Sequence, residues 1–228
     1  MPAPPRTPRL VVLASGRGSN LQALLDAAAT GALAAEIVGV LSDRRRAGAL
    51  QRARDAGIPA LALAPTAFDS RQAFDRALFA EAAALDPDYI VCAGYMRLIG
   101  ADAVEPWQGR MVNIHPSLLP AFKGLHTHAR ALEAGVGEHG ASVHFVTADL
   151  DGGPVIAQAR VPVLPGDDSE RLAARVLERE HPLLVATLGL LCAGRVGLHE
   201  HRVHLDGAVL RTPLQLASNQ GFASLPTP

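Results

Sequence analysis

The segment Asn113-Ile114-His115-Pro116 holds residue types suited to acyl-transfer chemistry. On a strand, residues two apart share a face, so Asn113 and His115 project together while Ile114 turns into the core. Pro116 ends the strand and leaves the imidazole at the mouth of a cleft near the strand's carboxyl end, where ligands of open α/β sheets usually sit. An amide donor beside an imidazole can stabilise an oxyanion and manage a proton. A second segment, Asp149-Leu150-Asp151-Gly152-Gly153-Pro154, reads as a tight loop that presents at least one carboxylate on a shaped backbone. A carboxylate near His115 would favour its imidazolium form and orient the ring. Taken singly, each residue has a plainer reading: His115 as a satisfied core histidine, Asp151 as an ordinary turn residue.

A third segment, Gly16-Arg17-Gly18-Ser19-Asn20, lies between a short apolar run and a helical pattern. Glycines let the backbone approach an anion, the first amides of the helix point outward, and the helix dipole favours negative charge there. Ser19 and Asn20 can add side-chain donors, and Arg17 adds a formal charge. Three readings stay open on the loop alone. It could cradle a phosphate monoester. It could begin a dinucleotide fingerprint, with Arg44, Arg45 and Arg46 holding a 2′-phosphate, although Leu21 stands where the third glycine belongs. Or Ser19 or Asn20 could merely cap the helix.

The elements that must position these groups follow from periodicity. Residues 1–8 read as a disordered lead-in. Strands are expected over 10–14, 36–42, 60–63 and 88–93, alternating with helices from Leu21, over 47–56 and over 70–85. That alternation predicts an α/β fold with a doubly wound, Rossmann-like N-terminal half. After Gly109 the pattern changes: strand 111–115, a Pro-rich loop over 116–124, helix 127–134, β segments 142–147 and 155–163, and a long helix 169–191. This half predicts a mixed sheet. A hairpin is expected in RVHLDGAVL, turning at Asp206-Gly207. The expected organisation is a catalytic domain over 9–196, divided into a phosphate-binding half (9–109) and a folate and catalytic half (110–196), with a hairpin and tail over 197–228.

Composition narrows the class. The 228 residues carry a net charge of -1, which argues against a general nucleic-acid binder. Cys92 and Cys192 are too few and too distant for a disulfide framework or a zinc site. No signal peptide or membrane-length apolar run is visible, so a cytoplasmic protein without a membrane partner is expected. Lys123 is the only lysine, and a nucleophilic role for it would need a desolvated pocket. His199, His201 and His204 lack a recognised metal-ligand spacing. His126, His128 and His144 read as helix-start, cleft-edge or hydrogen-bonded interior residues.

The segments SGRGSN, AGYMRLIG, NIHPSLLPAFKG, EHGASVHFV and DLDGGPVI, in this order and spacing, resemble the phosphoribosylglycinamide formyltransferases from about Arg9 to Arg195. The resemblance implies the formyltransferase fold and the transfer of a formyl group from 10-formyltetrahydrofolate, as co-substrate, to the amine of 5-phosphoribosylglycinamide in purine biosynthesis. By it, Gly18, Ser19 and Asn20 hold the ribonucleotide phosphate, and Asn113, His115 and Asp151 form the catalytic trio. Arg71, Met96, Arg97, Leu98 and Ile99 line the folate cleft with Asn113 and the 147–151 loop, and Glu180 contacts the ribonucleotide. Direct attack is expected, with Asn113 and a protonated His115 at the oxyanion and Asp151 keeping that charge and positioning a proton-relaying water. No metal or nicotinamide is needed, and the protein would act as a monomer or homodimer. The alternatives are a formyltetrahydrofolate hydrolase, a methionyl-tRNA formyltransferase, or a nucleotide-binding module without chemistry. The hydrolases usually add an N-terminal regulatory domain and the tRNA enzymes a C-terminal domain. A chain of this length has room for neither, which favours a small phosphorylated amine as acceptor.

Overall fold

The run RLVVL forms strand β1 (Arg9–Leu13), and every residue after Arg9 is buried. Such an unbroken apolar run marks a strand covered on both faces. The structure, a computed structural model, describes residues 6–218 and 220–223 and divides into two compact units, Met1–Met96 and Arg97–Pro228.

In the first unit, β1 is followed by α1 (Ser19–Ala29), β2 (Glu36–Ser42), α2 (Gly48–Asp55), β3 (Ala60–Ala62), α3 (Arg71–Ala84) and β4 (Tyr89–Cys92). Its strands run in the order β4-β1-β2-β3, all parallel, as the strand–helix alternation predicts. Leu21 and Leu24 of α1 are fully buried, as are Phe74 and Leu78 of α3. The lead-in expectation needs correction at its inner end. Residues 1–5 lie outside the described residues, but Arg6 donates to Asp86 at 3.2 Å and to Asp88 at 2.7 Å. Pro8 also accepts from the Glu36 amide. Charge pairing with the turn before β4 holds a stretch whose composition alone reads as loose.

The second unit holds α4 (Ala101–Val104), β5 (Met111–His115), α5 (Thr127–Glu133), β6 (Glu138–Phe145), β7 (Val155–Pro162) and α6 (Ser169–Cys192). Antiparallel pairs join β5 to β6 and β6 to β7, and a short strand β11 (Leu214–Gln215) adds parallel to β7. The sheet is therefore mixed, as expected. Strand β6 begins four residues before the expected start at Ser142. Its polar opening is accommodated by a cross-strand Arg160–Glu138 ion pair at 3.0 Å, and by Gly140, where a Cβ would run into the Ala159 carbonyl. Strands β8 (Val196–His199), β9 (Arg202–Leu205) and β10 (Ala208–Val209) form a separate antiparallel sheet. The expected hairpin turn is present, with Asp206 and Gly207 both at positive φ (51 and 82), the backbone that a two-residue hairpin requires.

Candidate active site

In the second unit the antiparallel register sets Asn113 opposite His144 and His115 opposite Ser142. Asn113 and His115 share a face, as alternation requires. Asp151 reaches the same place from the turn after β6. It adopts a left-handed backbone, φ 44, within a turn that closes tightly. A Cβ on Gly152 would come within 2.6 Å of the Asp149 Cβ, and one on Gly153 would strike the Phe145 carbonyl. Both glycines are therefore steric requirements for placing the carboxylate.

Asp151 Oδ2 lies 3.4 Å from His115 Nδ1 and accepts from the Gly124 amide at 2.8 Å, while Oδ1 lies 3.6 Å from His144 Nε2. His115 Nε2 lies 3.0 Å from the Phe122 carbonyl. His144 Nδ1 is 2.9 Å from the Phe145 carbonyl, which can only accept, so that nitrogen carries the proton. His144 Nε2 is then the acceptor for the Asn113 amide at 3.0 Å, which leaves the second Asn113 N–H available. The trio is thus brought together through His144.

His144 belongs at the centre of the site, although in sequence it reads only as an interior or cleft-edge residue. Its signal is the alternation of Ser142 and His144 in SVHFV, but only the register with β5 reveals its partner. Ser142 and Gln158 are two further residues missed by sequence reasoning. Ser142 Oγ donates to the Ser117 carbonyl at 2.7 Å and accepts from the Leu119 amide and from Gln158 Nε2, both at 3.0 Å. That is the full capacity of a hydroxyl. Gln158 also donates to the Leu119 carbonyl at 2.9 Å. This buried network fixes the loop that follows His115. Arg130 holds its far end, donating to the Lys123 carbonyl at 2.6 Å.

The electrostatics correct one expectation. Burial pulls His115 below the ordinary histidine value, and the Phe122 carbonyl and the Asp151 charge pull it back without cancelling that effect. The resting ring is therefore neutral at pH 7, whereas the sequence suggests an imidazolium. Its neighbours still suit the charged form. A neutral ring leaves one nitrogen lone pair facing either Phe122 O or Asp151, and imidazolium satisfies both. His115 is thus a desolvated base with acceptors already placed for the proton it gains. For Asp151, burial alone would raise the carboxyl. An Nε2–H of a protonated His144, the Gly124 N–H and the charge of a protonated His115 outweigh it and hold Asp151 below the usual carboxylate range.

The remaining candidates of this unit lie at varied depths. Leu98 is exposed and Ile99 buried, Arg97 is half-buried, and Glu180 is buried mid-way along α6. Lys123 is exposed, so it lacks the desolvated pocket a nucleophilic lysine needs. Among the described residues no group of three or more His, Cys, Asp or Glu is placed to hold a metal ion. His201 instead pairs with Gln108, and His199 packs edge-on against His204.

In the first unit, Gly18 is the N-cap of α1 with φ 78, and no side chain caps the helix. The capping reading for Ser19 and Asn20 therefore falls. Leu21 is fully buried, so the position of the missing third glycine is filled by core packing. Arg71 opens α3 behind the Ser70 cap, whose Oγ accepts from Ala73 N at 3.1 Å. Met96 is 56% exposed, and its amide donates to Ser15 Oγ at 2.9 Å. No helix of the described residues is long and apolar enough to cross a membrane.

Residues 8–188 match the family model described as formyl transferase. The chain is 49% identical to the phosphoribosylglycinamide formyltransferase of Escherichia coli K12, over 94% of this chain and 98% of that one. The solved structure of a phosphoribosylglycinamide formyltransferase from Coxiella burnetii, in complex with CHES, superimposes with a TM-score of 0.86 at 44% identity, covering 95% of this chain and 98% of that one. A formyltetrahydrofolate deformylase from Pseudomonas putida KT2440 is more distant, with 29% identity and a TM-score of 0.78 over 89% of this chain and 71% of that one.

Proposed function

The chain belongs to the formyl transferase family, and from that premise we propose that it moves the formyl group of 10-formyltetrahydrofolate onto the amine of 5-phosphoribosylglycinamide in purine biosynthesis. Identity of 49% to the transferase against 29% to the deformylase supports an amine as the acceptor. The observation that carries the chemistry is the buried His115 ring 3.4 Å from the Asp151 carboxylate, with the Asn113 amide 3.0 Å from His144 on the same face.

In this reading Gly18, Ser19 and Asn20 hold the phosphate of the acceptor, and Glu180 contacts the ribonucleotide. Arg71, Met96, Arg97, Leu98 and Ile99, with Asn113 and the 147–151 loop, bind the folate. The acceptor amine attacks the formyl carbon directly, with no covalent enzyme intermediate. Asn113 donates its second N–H to the developing oxyanion. A water positioned by Asp151 relays the amine proton to His115 as the new C–N bond forms. The imidazolium so formed faces Asp151 and Phe122 O, both acceptors, and adds positive charge beside the oxyanion. Its proton then passes back through that water to N10 of the departing tetrahydrofolate, which returns His115 to its neutral state. A metal takes no part in these steps. A cytoplasmic location, as a monomer or homodimer, belongs to the same proposal.

His115→Ala tests the assignment. Its kcat should fall by roughly 10²–10⁴-fold, with the dissociation constants of both substrates little changed. A folded His115→Ala enzyme with near-normal turnover would overturn this mechanism.

A further inference from the structure

The glycine loop of the first unit is clamped from behind by α2. The Ala49 amide donates to the Gly16 carbonyl at 3.1 Å. A Cβ on Gly18 would come within 2.7 Å of Ala49 Cα, and one on Gly48 within 3.0 Å of the Arg17 carbonyl. The start of α2 therefore presses on the loop along its length, and only small residues permit the contact.

Arg52, one turn further along α2, adds a fork. Its Nε donates to the Arg17 carbonyl at 2.9 Å, and its Nη1 donates to Gln22 Oε1 at 2.8 Å. Gln22 lies in the first turn of α1; its amide N–H donates to the Gly18 carbonyl at 2.9 Å. The Gln22 side-chain nitrogen is turned away to Asp26, at 2.8 Å, which leaves its oxygen facing Arg52. One guanidinium thus joins the loop to the helix that the loop opens. A planar guanidinium can hold two acceptors in fixed directions, which an ammonium cannot do. No carboxylate among the described residues lies within ion-pairing distance of Arg52, so its charge stands unneutralised behind the amides of α1.

A cradle of backbone amides binds an anion well only if its N–H groups converge before the ligand arrives, and a Gly-x-Gly segment has the freedom to lose that convergence. We propose that Arg52 is the positioning residue of the anion-binding loop: its fork to the Arg17 carbonyl and Gln22 holds the Gly18–Asn20 amides in their binding arrangement. It sets affinity for the phosphate of the acceptor without touching it. This rests on the reading of that loop as the phosphate site.

The test uses steady-state kinetics of the full chain together with competition by inorganic phosphate. Arg52→Ala is expected to raise the acceptor KM and the inhibition constant of phosphate in step, by roughly tenfold or more. Its kcat and folate KM should stay within about twofold. Arg52→Lys should recover only part of the loss, because one ammonium cannot reproduce the fork. Gln22→Ala, which leaves the Arg17 contact in place, should give a smaller rise of the same kind and serves if Arg52→Ala does not fold. Unchanged acceptor and phosphate constants in a folded Arg52→Ala would overturn the proposal, as would a fully wild-type Arg52→Lys. The double variant Ser19→Ala/Asn20→Ala separates the two levels. If it leaves the acceptor KM unmoved, the phosphate site itself is wrong. If it raises that KM while Arg52→Ala does not, only the role of Arg52 is wrong.

Discussion

His115 Nδ1 stands 3.4 Å from Asp151 Oδ2, and the two groups are shifted the same way: both pKa values lie below their ordinary values. Burial lowers the histidine because it penalises the imidazolium. Contacts with His144, Gly124 N–H and His115 lower the aspartate because they favour its anion. The pair therefore rests as neutral imidazole beside carboxylate, and proton uptake turns it into a compensated ion pair.

A pH profile reads this arrangement. With His115 as the proton acceptor, kcat should fall on the acid side as the ring becomes protonated, at a pH below the ordinary histidine value. Asp151→Asn removes a charge that raises the His115 pKa, so the acid limb should move to still lower pH while the plateau rate drops. An acid limb that stays in place with a wild-type plateau would reduce Asp151 to a turn residue.

The Asn113–His144 hydrogen bond predicts non-additivity. If His144 acts by orienting the Asn113 amide, His144→Ala should lower kcat by roughly ten- to a hundredfold, toward the effect of Asn113→Ala. Combining the two should cost little beyond Asn113→Ala alone, since the oriented group is already gone. Fully additive losses in the double-mutant cycle would mean that His144 acts elsewhere.

Much of this site is written in local sequence. The shared face of Asn113 and His115 follows from strand alternation, and the DGGP turn follows from two glycines that leave no room for a Cβ. The parallel strands of the first unit follow from the alternation of strands with helices. His144, Ser142 and Gln158 were less legible because their roles depend on which residues lie across the sheet. Cross-strand register is not encoded in any one segment. The resting charge of His115 was misread for a related reason. The sequence offers a carboxylate in a shaped loop as a partner for the ring, but does not show how much water has been removed, and here desolvation is the larger effect.

Acid sensitivity should extend to the fold. His139 packs edge-on against Phe122 and His128, with its Nε2 3.2 Å from His128 Nδ1, and burial lowers its pKa from 6.5 to about 4. Folded His139 resists a proton that the unfolded chain accepts, so the unfolded state binds more protons between those values. Stability should be fully present above pH 6.5 and decline as pH falls toward about 4. Replacing the ring with an uncharged side chain, as in His139→Gln, should flatten this decline in denaturant unfolding at several pH values, whatever it does to stability at pH 7. An equally steep decline in the variant would assign the acid sensitivity to other groups.

The last prediction separates transfer from hydrolysis. Water and an amine are alternative nucleophiles for one formyl carbon, and a base such as His115 can serve either. Positioning must decide between them. A phosphate anchor at Gly18 to Asn20 has a purpose only if the acceptor is phosphorylated. Anchoring makes the attack effectively intramolecular, worth on the order of several kcal/mol of barrier. Water gains nothing from that anchor. With 10-formyltetrahydrofolate alone, consumption should therefore be very slow. Adding 5-phosphoribosylglycinamide should raise it by orders of magnitude, with one formylated product for each tetrahydrofolate released. Glycinamide without the ribose phosphate should be a poor acceptor even at high concentration, and inorganic phosphate should compete with the ribonucleotide but not with the folate. Rapid formate release in the absence of any amine would identify a hydrolase, and would show that the glycine loop serves some purpose other than holding the nucleophile.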